Sequence, residues 1–435
     1  MGTRHENSRR VAITGVGVVS PNGIGREAFW NSITAGHSGI SQIDLMSASS
    51  IPHHIGGQVK DFNDKTSRNY IKQRKNIKVM CREIQLGVAA ATLALEDAGI
   101  TEGVVNPERM GVEFGANLML SPPEILFDAA KATCDPGDVL FQFDRWGQTG
   151  MPKLQPLWLL QFLPNMPACH IGIHADARGP SNSLTMSEAS GNLAAAEAWR
   201  IVSRSQADVM ITGSTGTTIH AVKSLHATLW DELSTWSGDP AEASRPFDAD
   251  RCGQVCAEGS GVMIFEEEEH AKKRGAKILG YILGAGASCV ADKEGKPDLK
   301  RAMVVAMKSA LKDAGLTPAD VGHINAHGLS TTTDDVLETE AIHEVFGDLG
   351  TKVPVTAFKS YWGNPGASCG SLELIGSLLG FSQGIVLPTL NYHKPDPACR
   401  LNVVHGEPLK GANPVCLKLS VTRIGQASAL VVQGA

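Results

Sequence analysis

The sequence predicts an α/β fold assembled from two related halves, and three observations carry that expectation. Short apolar runs alternate with amphipathic stretches of helical spacing along most of the 435 residues. Residues 91–115 (ATLALEDAGITEGVVNPERMGVEFG) are echoed by residues 307–328 (MKSALKDAGLTPADVGHINAHG), each a helix, an Asp-Ala-Gly stop, a proline-containing loop and a short apolar strand. A period this long fits duplication of an α/β unit rather than a solenoid, and 42% hydrophobic residues can fill one large core or two joined ones.

Taken in order, RRVAITGVGVVSPNG reads as a buried strand closing in a Gly/Pro turn, and the first echo follows as helix and strand. Residues 179–192 (GPSNSLTMSEASGN) form a tight turn that delivers one residue, Glu188, to the start of an alanine-rich helix, after which ADVMITG returns as a strand. FEEEEHAKKRGAK reads as a charged helix forming the surface crossover, which sets the division between halves near residue 265, as 1–265 and 266–435. The second echo then opens the C-terminal half.

Composition narrows the function. A net charge of -6 gives no global reason to expect nucleic acid. The polar start MGTRHENSRR has no leader-like apolar core, and SLLGFSQGIVLPTL is too short and too broken to span a bilayer, so a cytoplasmic protein is expected. Nine cysteines, an odd number scattered among apolar residues, suit reduced thiols. Cys252 and Cys256 have no nearby second pair, so no metal is expected, and no motif points to a cofactor.

At a helix start, Glu188 meets free backbone N–H groups and the positive end of the helix dipole, a place equally good for a thiolate or a carboxylate. From this segment alone it is either an anionic helix-start residue or a functional side chain. Ser187 and Ser190 flank it and read as helix-start hydrogen bonders rather than nucleophiles.

VAITGVGVVSPNG, NMPACHIGI, ARGPS, ADVMITG, RPFDADRCGQVCAEGSG, INAHGLSTTTDD and FKSYWGNPGASCGSLELIGSLLG occur in this order along nearly the whole chain. By these segments the sequence resembles the elongating β-ketoacyl-acyl-carrier-protein synthases of the thiolase fold. The resemblance implies two βαβαβαββ halves in an α/β/α/β/α layered arrangement, usually as a dimer. It also implies a cysteine at the Glu188 position that attacks an acyl thioester, with two histidines to assist decarboxylation of malonyl-carrier protein. On that pattern His327 matches the first histidine, Lys359 the supporting lysine, and Glu338 and Glu373 the supporting carboxylates.

Three positions depart from the pattern. Glu188 replaces the cysteine, and Asn364 in YWGNPG replaces the second histidine, where an amide cannot carry a proton near neutral pH as imidazole can. Loss of both is expected to abolish ordinary condensation. In SVTRIGQASAL, Arg423 aligns with the gating phenylalanine of the family's GFGGTN loop and Gly425 alone keeps its glycine core. An acid at the nucleophile and a base at the gate suggest a Glu188–Arg423 ion pair plugging the old site.

The resemblance leaves three functional expectations. The first is a partner of an active ketosynthase similar to the chain-length factors, which also lack the cysteine. Residues 116–164, longer than usual and holding Trp146 and Trp158, either shape a partner's acyl tunnel or cap the fold as a longer loop. The second is a carrier-dependent acyltransferase or malonyl decarboxylase with altered chemistry through Glu188 and His327. The third is an acyl or carrier-protein binding module, for which Lys65, Arg68, Lys72, Arg74, Lys75 and Lys78 would dock acyl carrier protein unless they are only a solvated face. A homodimer and a heterodimer with an active synthase are both compatible with the sequence.

Overall fold

The computed structural model describes residues 9–46 and 51–435; most of the polar start read above lies outside the described residues. Ten strands build the main sheet: β1 (Val11–Ser20), β2 (Met110–Ala116), β3 (Ser181–Leu184), β4 (Val209–Thr217), β5 (Glu258–Glu267), β6 (Gly280–Cys289), β7 (His323–Asn325), β8 (Pro354–Thr356), β9 (Val415–Val421) and β10 (Gln426–Gly434). The main helices are α1 (Arg82–Asp97), α2 (Met166–Ala175), α3 (Ser190–Ser203), α4 (Glu268–Lys273), α5 (Leu299–Ala314), α6 (Asp334–Phe346) and α7 (Cys369–Phe381).

Across the sheet the order is β8-β7-β9-β10-β6-β1-β5-β4-β2-β3, extended by the short strands Asn402–Val403 beside β8 and Gly23–Ile24 beside β1. Read outward from the centre, β1-β5-β4-β2-β3 and β6-β10-β9-β7-β8 are the same order, so each half is a βαβαβαββ unit on five strands. Within the sheet the halves are joined by a short antiparallel pairing, Ala12 with Tyr281 and Ile13 with Gly280. On this repeat we propose that the chain divides near residue 265.

Burial explains the layers. Helix α7 is buried from Cys369 to Gly380, and with the alanines of α3 it packs against side chains of β1, β5, β6 and β10. A helix apolar all round belongs inside. Helices α1 and α2 cover the outer face of the first half, while α5 and α6 cover the second. The result is the expected α/β/α/β/α stack.

The charged crossover is shorter than the sequence suggests. Glu266 and Glu267 still belong to β5, and only 268–273 form α4. Glu266 tolerates full burial because Arg274 Nη2 pairs with it at 2.7 Å and Thr14 Oγ1 donates to it at 2.8 Å.

Candidate functional site

Glycines bring the starts of the two buried helices together. A Cβ on Gly191 would stand 2.6 Å from Ser214 Oγ, and one on Gly370 would stand 2.6 Å from Asn192 Oδ1. That close approach sets the turn before α3 beside the turn before α7. Ser187 takes φ 44°, an uncommon conformation for a side chain, and a 3₁₀ turn over Ser187–Ala189 leads into α3. Ser190 Oγ accepts from Met186 N at 2.8 Å, which leaves this serine a structural role in the turn.

Behind the turn lies a buried ionic cluster. Lys359 Nζ stands 3.1 Å from His327 Nδ1 and donates to His327 O at 2.6 Å and to Glu373 Oε1 at 2.8 Å. Glu338 accepts from the backbone N–H of His327 at 2.7 Å and of Gly328 at 2.8 Å. All four side chains predicted for this set are therefore together. Burial first, and the Lys359 and Lys418 charges second, push His327 well below its ordinary range, so its imidazole is neutral. Since an ammonium can only donate, Nδ1 accepts and the ring proton sits on Nε2.

Lys418 is a member of this cluster that sequence reasoning missed. Its Nζ lies 2.6 Å from Glu373 Oε2, so Glu373 bridges two buried lysines. Burial pulls Lys418 below its ordinary value, with the Glu373 carboxylate opposing and Lys359 adding to the effect. The available signal was one lysine inside the apolar run VCLKLSV.

In front of the cluster, Glu188 and Asn364 touch. Asn364 Nδ2 donates to Glu188 Oε1 at 3.2 Å and to Gln254 Oε1 at 2.6 Å, while Oδ1 accepts from Gly366 N at 3.0 Å and Cys369 Sγ at 3.0 Å. The Gly366 N–H fixes the amide's orientation, and both amide protons are committed. Gln254, a second residue that sequence reasoning missed, thus completes the site. Cys369 is no replacement nucleophile: it is fully buried, and burial drives its thiol far above the ordinary value.

Glu188 opens on a cavity of about 480 Å³ that is also lined by His327, Gln254, Trp230, Asp231, Glu232, Asp334 and Arg423. Burial, then the Glu188 charge, raises Asp231 to about 6, with Arg423 opposing. Asp334 is raised by burial and by Glu232 and Glu188.

The expected Glu188–Arg423 ion pair does not form. Arg423 is 56% exposed and its Nε sits 3.9 Å from Asp231 Oδ1, with its guanidinium 5.6 Å from the Trp230 ring centroid. The cause is the tight β9–β10 connection. Thr422 N donates to Gln426 O, and Gly425 takes φ 81° where a Cβ would meet Val290 O at 2.3 Å. Glycine is needed there, and the turn carries Arg423 outward at its tip.

Lys65, Arg68, Lys72, Arg74, Lys75 and Lys78 are all exposed, and none forms an ion pair among the described residues. Arg68 lies on the short helical turn Ser67–Tyr70 and Arg74, Lys75 and Lys78 on the turn Arg74–Val79, while Lys65 and Lys72 stand in the connecting loops, so the six do not share one continuous helix face. Within the long segment 116–164, Trp158 packs on the first-half core and Trp146 on Phe141, 5.8 Å between ring centroids, while Val139 and Phe143 are 95% and 80% exposed. Met119, Leu120 and Phe162 of that segment line a second cavity of about 640 Å³. No helix among the described residues is long and apolar enough to cross a membrane.

The model of the β-ketoacyl synthase N-terminal domain matches residues 8–271, and that of its C-terminal domain matches residues 279–393. The chain is 34% identical over 400 residues to 3-oxoacyl-[acyl-carrier-protein] synthase 2 of Synechocystis sp., covering 92% of each chain. Among solved structures it is similar to the ishigamide ketosynthase/chain length factor, with a TM-score of 0.86 at 25% identity over 98% of this chain and 100% of that one. It is also similar to a type II polyketide synthase acyl-carrier protein in complex with its ketosynthase bound to the hexaketide, with a TM-score of 0.83 at 27% identity over 98% of this chain and 100% of that chain. With both halves of the family's pattern accounted for and the His327–Lys359–Glu373 cluster in place, the chain belongs to the β-ketoacyl synthase family of fatty-acid and polyketide synthesis.

Proposed function

We infer that this chain is a condensation-incompetent partner of an active ketosynthase, in the manner of a chain length factor. The observation that carries this reading is the Asn364 amide, whose two protons are spent on Glu188 and Gln254. A second histidine would offer a donor to the thioester or enolate oxygen, and a donor of that kind is worth about 10²–10³ in rate. Here that donor is absorbed by the residue standing where the nucleophile belongs.

His327 keeps its place, held neutral chiefly by burial, with Lys359 and Lys418 adding to the effect, and with Nε2 protonated. It retains one hydrogen-bond donor for an acyl carbonyl but has no thiolate to serve. Residues 116–164, with exposed Val139, Leu140 and Phe143, supply an apolar surface for the partner and its acyl tunnel. The exposed basic turns from Lys65 to Lys78 fit the acidic face of an acyl carrier protein.

Malonyl decarboxylation, the catalytic alternative, is opposed by charge. A malonate carboxylate entering the cavity meets Glu188, Asp231, Glu232 and Asp334. The deciding experiment co-purifies the chain with candidate ketosynthases and carrier protein, then assays condensation and decarboxylation with each component alone and mixed. Activity only in a mixture supports the partner reading. Decarboxylation by this chain alone, lost on His327→Ala, replaces it with an enzymatic one.

A further inference from the structure

The cavity in front of Glu188 is short of positive charge. Four carboxylates line it, from Glu188, Asp231, Glu232 and Asp334, against one lining cation, Arg423. Glu232 is tied to Thr332, whose N–H and hydroxyl donate to it at 3.0 Å. Among the described residues, the Glu188 carboxylate receives only the 3.2 Å bond from Asn364. Arg423 gives Asp231 a long contact of 3.9 Å from an exposed position, the kind of ion pair that contributes little. Its guanidinium nonetheless stands within cation–π reach of Trp230, so the mouth already holds a cation on an aromatic face.

His327 is an independent observation at the same cavity. It is 3% exposed, its Nδ1 is held by Lys359, and its Nε2 N–H has no acceptor among the described residues although the ring lines the cavity. A donor on a largely buried ring that faces a cavity and has no protein acceptor marks a place for a ligand oxygen. The cavity therefore asks for two things at once, a carbonyl oxygen at its floor and a positive charge towards its mouth.

We propose that this cavity binds an acyl thioester bearing an amine, with the thioester carbonyl on His327 Nε2 and the ammonium between Asp231 and Asp334, displacing Arg423. A volume of about 480 Å³ suits a short chain. The proposal rests on the family reading only in taking the ligand to be an acyl thioester. It needs no condensation and no partner synthase.

The test is calorimetric titration of the intact chain with three N-acetylcysteamine thioesters of similar reach, β-alanyl, butyryl and succinyl, which end in an ammonium, a methyl and a carboxylate. We expect β-alanyl to bind about ten-fold or more tighter than butyryl, and succinyl weakest of the three. Asp231→Asn should bring the β-alanyl and butyryl affinities to within about three-fold, and Arg423→Ala should tighten β-alanyl by up to about five-fold while leaving butyryl unchanged. Because Arg423 is exposed on a hairpin tip, that variant keeps the proposal testable even if Asp231→Asn fails to fold. Equal binding of β-alanyl and butyryl, tightest binding of succinyl, or no binding of any thioester overturns the proposal. Failure of co-purification with a ketosynthase would overturn the partner reading alone.

Discussion

A hydrogen bond of 3.2 Å joins Asn364 Nδ2 to Glu188 Oε1, and through it the two replaced positions of the family's site satisfy one another. Restoring one of them alone therefore leaves the other mismatched. Glu188→Cys places a thiol beside an amide whose Nδ2 keeps only Gln254 as acceptor among the described residues, and Asn364→His places an imidazole against a carboxylate. We expect neither single variant to condense acyl- and malonyl-carrier protein. The double variant Glu188→Cys/Asn364→His should exceed either by about 10²-fold, the worth of a properly aimed oxyanion donor. Condensation by Glu188→Cys alone at the rate of the double variant would sink the idea that Asn364 is disabling.

Lys418 is expected to act on His327 through charge as well as through Glu373. His327 sits well below its ordinary value chiefly by burial, with Lys359 and Lys418 adding to the shift. A histidine neutral in the native state binds fewer protons there than when unfolded, so native stability falls as pH drops below about 6.5, by up to ~1.4 kcal/mol per pH unit for one proton. Lys418→Met should move the His327 resonance titration upward and flatten that loss, read by NMR and by urea unfolding at pH 5 and 7. An unchanged titration would leave Lys418 a purely structural neighbour.

The parts of this molecule legible in sequence are those encoded locally. The Asp-Ala-Gly stops locate the ends of α1 and α5, the elbow locates Glu188, and motif spacing locates His327, Lys359, Glu338 and Glu373. What escaped depends on which distant segments meet. Glu373 needs Lys418 from a strand far along the chain, and Asn364 needs Gln254 from a loop. The acids Asp231, Glu232 and Asp334 converge only after folding. Alignment sets Arg423 next to Glu188, whereas the φ of Gly425 and the tight β9–β10 turn decide where it points. Glu266 and Glu267 looked helical by composition, but Arg274 and Thr14 let Glu266 remain in a buried strand.

Glu113 gives an opposite pH dependence. It is fully buried in β2, opposite Asn182 on one side and Thr212 on the other. Burial, reinforced by the Glu197 charge, raises its carboxyl to about 7, with Asn182 opposing. Between its ordinary value and about pH 7 the native state keeps a proton that the unfolded chain has lost, so stability falls as pH rises across that window. Glu113→Gln should be more stable than the parent by on the order of 1–2 kcal/mol at pH 8 and no more stable at pH 5. Denaturant midpoints of the two proteins at both pH values decide it, and a gain at pH 5 equal to that at pH 8 would rule out titration as the cause.

Carrier docking is expected to depend on the basic turns rather than on the cavity. Arg74 and Lys75 are exposed, carry no ion pair among the described residues, and sit on the turn Arg74–Val79 that packs beside residues 158–162 through the Gln161 to Lys78 bond of 2.9 Å. Reversing both charges removes attraction and adds repulsion towards an acidic partner without touching a buried group. Arg74→Glu/Lys75→Glu should weaken binding of acyl carrier protein by about ten-fold or more at low salt. The difference should shrink as ionic strength rises and the Debye length falls to about 3 Å near 1 M. Thermal unfolding should be nearly unchanged, since substitutions at exposed positions typically shift stability by less than about 0.5 kcal/mol. Carrier affinity equal to that of the parent at low salt would show that these lysines and arginines are only a solvated face, and would move the search for the carrier's contact to the exposed apolar segment at 139–143.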